Sequence, residues 1–277
     1  MSTRGPVAPQ DPSMSWIAAP VGGAAVPVRV RSMAILGFGA LIGITAFVWP
    51  LFVAPGAELD ASSQGPLVFA LVLPLVLVIV VTELTSGSIS PKALAMLGVV
   101  SALGTLTRPL GAGTAGIELV FFLLIIGGRV FGPGFGFLLG NTTLLVSALI
   151  TGGVGPWLPY QMLAAGFVGL GAALLPRARG RWEIVLLSLW CFLSAFVYGW
   201  LMDLAFWPFA LGTGTDASYA AGAPLLENVR RFVVFNVATS MGWNVMRAVV
   251  NVVAIALLGP SMLRILRRAA RRAHFAD

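Results

Sequence analysis

Charge is scarce in these 277 residues: 10% are Asp, Glu, Lys or Arg, against about 25% in a soluble domain. Histidine occurs once, as His274, and cysteine once, as Cys191 inside an apolar run. A lone cysteine excludes a disulfide framework and a thiolate metal cluster, and a lone terminal histidine removes His-based triads and His-rich metal sites. The ten acidic residues are scattered, with none of the paired spacing of the DDxxD-like clusters in membrane prenyl transferases. No GxxxxGK[ST] phosphate loop is present, so the chain is not expected to hydrolyse ATP itself. These absences argue against an enzyme and imply no metal and no cofactor.

Hydrophobicity is what the chain has in quantity: 58% of residues, with a mean hydropathy of +0.95. A helix crossing the hydrocarbon core needs roughly 20 mostly apolar residues. Eight apolar segments approach that length, at about 32–53, 67–83, 92–107, 115–131, 134–152, 158–176, 183–207 and 236–259, with Pro or Gly at nearly every junction. The runs are too long and too little alternating for a β-barrel, whose strands alternate over about 10 residues. The expected fold is an all-α integral membrane protein, a bundle of about eight transmembrane helices.

A net charge of +7 and a pI near 11 raise the question of nucleic acid. The placement of the charges answers it differently, because the basic residues flank apolar segments on alternate sides, as the positive-inside rule requires. With the N-terminus inside, the inner side holds Arg4, Arg29, Arg31, Lys92, Arg129, Arg177, Arg179, Arg181, Arg264, Arg267, Arg268, Arg271 and Arg272. The outer side holds only Arg108, Arg230 and Arg231, and Arg247 is left within a span. Eight crossings with both termini cytoplasmic, in a bacterial inner membrane, satisfy this distribution; no nucleic acid is expected. The organisation read from the chain is a polar lead rich in Pro and Gly over 1–30, a membrane hairpin over 31–90, a six-helix membrane core over 91–260 and a basic tail over 261–277. The tail reads as an amphipathic helix lying on the inner leaflet, where each basic residue near anionic lipid gains about 1 kcal/mol.

Ionisable side chains inside spans are costly, about 2.5–3.5 kcal/mol even on lenient scales, so they usually face a cavity or a partner. Arg247 stands mid-segment in MGWNVMRAVVNVV, and helical spacing puts Asn244 and Asn251 on its face. Asp203 and Glu118 lie near the outer ends of the seventh and fourth segments, and either is a candidate partner. Arg247 is thus half of an internal ion pair or a ligand contact. Glu83 ends the second segment and reads as solvated. Trp157, Tyr160, Trp200 and Trp207 gather near the outer side, as an interfacial belt or as walls of a pocket. Gly132, Gly136 and Gly140 stand four apart, the small-residue spacing that lets membrane helices approach.

The stretch FGPGFGFLLGNTTLLVSALITGGVGPWLPYQM (131–162) with AAGFVGLGAALLP (164–176) resembles the substrate-binding S components of energy-coupling factor vitamin transporters. The likeness lies in a Gly-Pro-x-x-Gly helix junction, a glycine-rich outer loop, a Gly-containing fourth core helix, and a last helix carrying Arg247 and Asn251 before an Arg-rich end. The resemblance implies a vitamin-binding membrane component that works with a transmembrane coupling subunit and two ATPase subunits. It implies docking through small residues of the first core helix, here Ala95, Gly98, Ala102 and Thr105 in ALAMLGVVSALGTL. It also implies a ligand site under the outer loops at about 107–116, 151–158 and 208–235, with Arg108, Glu118, Trp157, Tyr160, Gln161, Asp203, Trp207, Asn244, Arg247 and Asn251 as candidates. The loop at 208–235 is long enough to cover a large ligand such as a cobalamin. The alternative is a membrane enzyme or a structural membrane subunit with no transported ligand of its own.

Overall fold

The computed structural model describes residues 30–52, 61–85, 89–111, 116–210 and 214–274; the Pro- and Gly-rich lead lies outside them. Among the described residues the regular structure is entirely helical. The helices are α1 (Val30–Val48, prolonged by a 3-10 turn at Trp49–Phe52), α2 (Ala61–Thr85), α3 (Pro91–Leu110), α4 (Val120–Phe131), α5 (Pro133–Thr151), α6 (Leu158–Leu174), α7 (Arg181–Ala210), α8 (Leu225–Thr239) and α9 (Met241–His274). Among the described residues four are long and apolar enough to cross a membrane: Ser32–Phe52, Pro133–Thr151, Arg181–Ala210 and Met241–Arg272. Shorter apolar helices at Ala70–Thr85, Val120–Phe131 and Leu158–Leu174 pack among them. Large apolar side chains such as Leu41, Leu149, Val197 and Leu257 are exposed on the outside. A water-soluble monomer rarely shows so much exposed apolar surface. The chain is a helical, multi-pass membrane protein.

Each of the eight apolar segments becomes a helix, and turn chemistry sets the ends. Ser90 caps α3, its hydroxyl accepting the Ala93 N–H at 3.2 Å, with Pro91 in the first turn. Gly132, at φ 109°, ends α4 and hands the chain to Pro133 at the start of α5. The spacing read at Gly132, Gly136 and Gly140 serves helix approach at two of its three positions. A Cβ on Gly136 would lie 2.5 Å from the Gly169 carbonyl oxygen of α6, and one on Gly140 would lie 2.3 Å from the Ala165 carbonyl carbon. Gly132 instead supplies the turn.

The short α4 is the axis of the molecule. All twelve of its residues are buried, packed between α5, α6 and α9. At about 18 Å it is shorter than the hydrocarbon core, so what meets its two ends lies within the bundle. The α1–α2 hairpin packs outside, against α5, α6 and α7.

Three expectations change. The stretch 208–235 is not one loop: it holds the end of α7 and most of α8, with described residues 214–224 between them. Helix α8 is amphipathic, burying Asn228, Phe232, Phe235 and Asn236 while Glu227, Arg230 and Arg231 face outward, so a hydropathy count passes over it. The tail does not lie apart on a surface. α9 runs through Pro260 to His274 as one helix, with Leu263, Leu266 and Ala270 buried. Glu83 is not solvated: it is fully buried and accepts a hydrogen bond from Ser32 Oγ, and Gly134 leaves room for its carboxylate.

Candidate functional site

The site grows from the spacing of three polar residues on α9. Asn244, Arg247 and Asn251 fall on one face, and that face meets α7 and the N-terminal end of α4. Asn251 is fully buried and acts as a clamp. Its Oδ1 accepts the Phe122 N–H at 2.8 Å, one of the orphan donors of the first turn of α4. Its Nδ2 donates to the carbonyls of Glu118 and, at 2.9 Å, of Arg247. Helix α4 has no side-chain cap of its own, so α9 provides it.

Arg247 extends from this clamp to Glu118, its Nε donating to Oε2 at 2.9 Å, and its Nη1 donates to Asn244 Oδ1 at 3.0 Å. The guanidinium lies over two aromatic faces, 5.0 Å from the Tyr198 ring centre and 5.5 Å from that of Phe121. Of the two acids considered as its partner, Glu118 makes the ion pair. The Glu118 side chain keeps 28% of its surface exposed, so this end of α4 is open on one side.

The α7 and α9 faces run antiparallel as rungs. Ala195 lies at Arg247, whose Nη1 is 3.5 Å from its carbonyl oxygen. Gly199 lies against Asn244: a Cβ there would fall 1.9 Å from Asn244 Oδ1, so glycine is what admits the amide. Asp203 accepts from Asn236 Nδ2 of α8 at 2.5 Å and is hydrogen-bonded by Ser240. Two buried polar atoms on this ladder have no partner among the described residues, the Asn244 Nδ2 donor and the Asn236 Oδ1 acceptor. A buried polar group left unsatisfied costs about 1–3 kcal/mol, which a ligand or water recovers.

The remaining candidates separate. Trp207 is fully buried, donating to the Ala217 carbonyl at 2.7 Å and packed on Tyr219, Phe232 and Phe235. It holds α8 and the connection onto α7. Tyr160 is also buried, edge-on to Phe47 and Phe206. Gln161 is half-buried on the next position of α6, and Arg108 is half-buried near the end of α3, with no ion pair among the described residues. Trp157 and Trp200 are exposed, as an interfacial belt requires. On α3, Ala95, Gly98 and Ala102 share an exposed face, and a Cβ on Gly98 would meet nothing within 4 Å. Thr105 leaves that face: it is buried, its hydroxyl donating to the Thr143 carbonyl at 3.3 Å.

Sequence reasoning passed over Tyr198, Phe121, Gly199 and Asn236, which complete the ladder. Asn236 stands eight residues before Asn244, about two helical turns, and that spacing was the available signal. A second charged cluster, at the opposite end of α4, was also missed. There Arg129 donates to Glu183 Oε1 at 2.9 Å and to the carbonyls of Leu175 and Pro176 at 2.8 and 3.0 Å, and Arg267 reaches the same Glu183 oxygen at 2.5 Å. Among the described residues no three His, Cys, Asp or Glu side chains gather as a metal site would require. Comparison with models of known families, with curated proteins and with solved structures gives no match.

Proposed function

We propose that this protein is the substrate-binding S component of an energy-coupling factor importer. In this reading it binds a small polar micronutrient of the vitamin class at the α4 N-terminal end. It passes the ligand inward with a transmembrane coupling subunit and two ATPase subunits, through a bundle of eight crossings with both termini cytoplasmic. The observation that carries the reading is the Arg247 ladder. A buried cation on two aromatic faces stands beside an amide donor with no partner among the described residues, at an end of the bundle that is partly open. Aromatic walls with a few fixed polar groups are the usual make-up of a small-molecule site. The six helices α3 to α7 and α9, of which α4 is buried among the other five, with the N-terminal hairpin outside, support the division made in the sequence. The exposed small-residue face of Ala95, Gly98 and Ala102 supports docking through α3.

The test is purification from a native membrane followed by mass spectrometry of co-purifying small molecules. A polar ligand is expected with the wild type and not with Arg247→Met. Gly98→Leu with Ala102→Leu is expected to release the coupling subunit while ligand binding persists.

A second reading is favoured by the Arg247–Glu118 ion pair: the pair bolts α9 to α4 and the chain is a membrane subunit without a ligand. Under that reading Arg247→Met lowers the melting temperature, Glu118→Gln added to it restores part of the loss, and no small molecule co-purifies.

A further inference from the structure

Along α9, one stripe of side chains recurs at four- and three-residue steps: Met246, Val250, Val253, Leu257, Ser261, Arg264, Arg268 and Arg271. Up to Leu257 the stripe is apolar and faces outward, with Leu257 73% exposed. Beyond Pro260 the same face turns cationic, since Arg264, Arg268, Arg271 and Arg272 are all exposed. The change is abrupt because the helix does not bend away; Leu263, Leu266 and Ala270 keep its other side packed on the bundle. No acidic residue occurs from Asn228 to Ala276. Among the described residues none of these four arginines makes an ion pair; their neighbour Arg267 pairs with Glu183. Arg264 only folds back on the Pro260 carbonyl and Ser261 Oγ, at 3.2 and 3.3 Å. Ser261, Ile265, Ala269 and the five arginines from Arg264 to Arg272, all on α9 itself, border one shallow open recess on this face.

The height of the recess is set independently. Glu183, which holds Arg267, follows Trp182, an indole 63% exposed at the start of α7 with the Arg181 guanidinium 5.6 Å from its ring centre. Exposed tryptophans sit at the level of the lipid headgroups. The rise from Leu257 to Arg264 is about 10 Å, which carries the stripe from hydrocarbon into the headgroup layer. Arg271 is a further turn or two out, in water.

From this we propose that the Arg264–Arg268 face of α9 is a binding site for the phosphate of an anionic phospholipid, whose acyl chain lies along the Val253–Leu257 stripe. A guanidinium fork matches phosphate bidentately. An acyl chain on the adjoining apolar stripe is what distinguishes a lipid from free phosphate. The inference rests on the multi-pass fold and not on the transport reading, so either stands without the other.

The test is native mass spectrometry of the full chain in detergent, titrated with phosphatidylglycerol and with phosphatidylcholine of the same acyl chains. Phosphatidylglycerol is expected to be retained at concentrations where phosphatidylcholine is not. Each arginine near the headgroup layer is worth roughly fivefold in affinity. Arg264→Gln with Arg268→Gln is therefore expected to raise the half-saturating phosphatidylglycerol concentration about tenfold or more. Arg264→Lys with Arg268→Lys should retain most of the binding, and Arg271→Gln with Arg272→Gln should weaken it less. Inorganic phosphate in excess should not displace the lipid. The proposal is overturned if wild-type chain retains both lipids equally or if the Gln pair binds phosphatidylglycerol like wild type. It is equally overturned if inorganic phosphate displaces the lipid, which means a free-anion site. Dependence of partner-protein capture on these arginines without any lipid preference means a protein-docking face, and also overturns it.

Discussion

The two ends of α4 carry the same kinds of groups and treat them differently. At the C-terminal end, Arg129 and Glu183 are almost wholly enclosed, with side chains 5% and 4% exposed. Arg129 is satisfied by a carboxylate and two backbone carbonyls, and Glu183 gains Arg267 as a second partner. At the N-terminal end, Arg247 also has a carboxylate, but Glu118 is partly open and Asn244 keeps a buried donor unmatched among the described residues. A saturated network is a fastening. An unsaturated one beside an opening leaves hydrogen-bonding capacity unused, which is the basis of the proposed ligand site. The comparison teaches that a buried arginine is read by what its neighbours leave unpaired.

Breaking the C-terminal end should have the largest effect. Removing one side of a buried ion pair costs about 3–5 kcal/mol, because the other charge is left uncompensated. Glu183→Gln strands the enclosed Arg129 guanidinium, while Arg267 is 41% exposed, and should yield little folded protein by size-exclusion chromatography in detergent, with a melting temperature far below wild type. A result within a degree or two of wild type removes the fastening role.

Next in size is the glycine approach that seats α4 and α5 on α6. Gly140→Ala places a methyl 2.3 Å from the Ala165 carbonyl carbon, a backbone atom that cannot rotate aside. Overpacking of this kind costs about 1–3 kcal/mol. The thermal midpoint should fall by several degrees, whereas Gly98→Ala, on the open face of α3, should leave it unchanged. Equal shifts for the two would dissolve the distinction between packed and unpartnered faces.

Smaller again is the capping clamp. Asn251→Ala leaves the Phe122 N–H of α4 and the Glu118 carbonyl without their partner, and loss of a helix cap costs about 1 kcal/mol. Thermal melting should register a modest fall, and ligand affinity should fall with it if Asn251 positions Glu118. Trp157→Ala, on an exposed indole that donates to the Gly153 carbonyl at 3.1 Å, should be the mildest change, within about 0.5 kcal/mol of wild type.

Most of the bundle was legible because a membrane helix needs a long apolar run, and the eight runs in the chain each became helical. α8 escaped because its polar face dilutes the hydropathy that reveals the others. The continuation of α9 escaped because arginines after a proline resemble a separate surface helix. Packing of Leu263, Leu266 and Ala270 on the bundle, together with the Arg267–Glu183 pair to α7, keeps it in line. Within the candidate site, the spacing of Asn244, Arg247 and Asn251 announced one polar face. Which acid would answer Arg247 depended on where α4 begins relative to α9, and no local pattern encodes that. Trp207 and Tyr160 were legible as aromatics near one end, but burial turned them into core supports, since neighbouring aromatics from α1, α7 and α8 cover them.

The account turns on the N-terminal end of α4 being the open one. The direct measurement is ligand retention by native mass spectrometry in wild type and two variants first checked to be folded, Asn244→Ala and Arg129→Lys. Wild type and Arg129→Lys should carry the same polar small molecule, and Asn244→Ala should lose most of it while melting within a few degrees of wild type. Equal occupancy of Asn244→Ala and wild type, or loss confined to Arg129→Lys, would contradict the account.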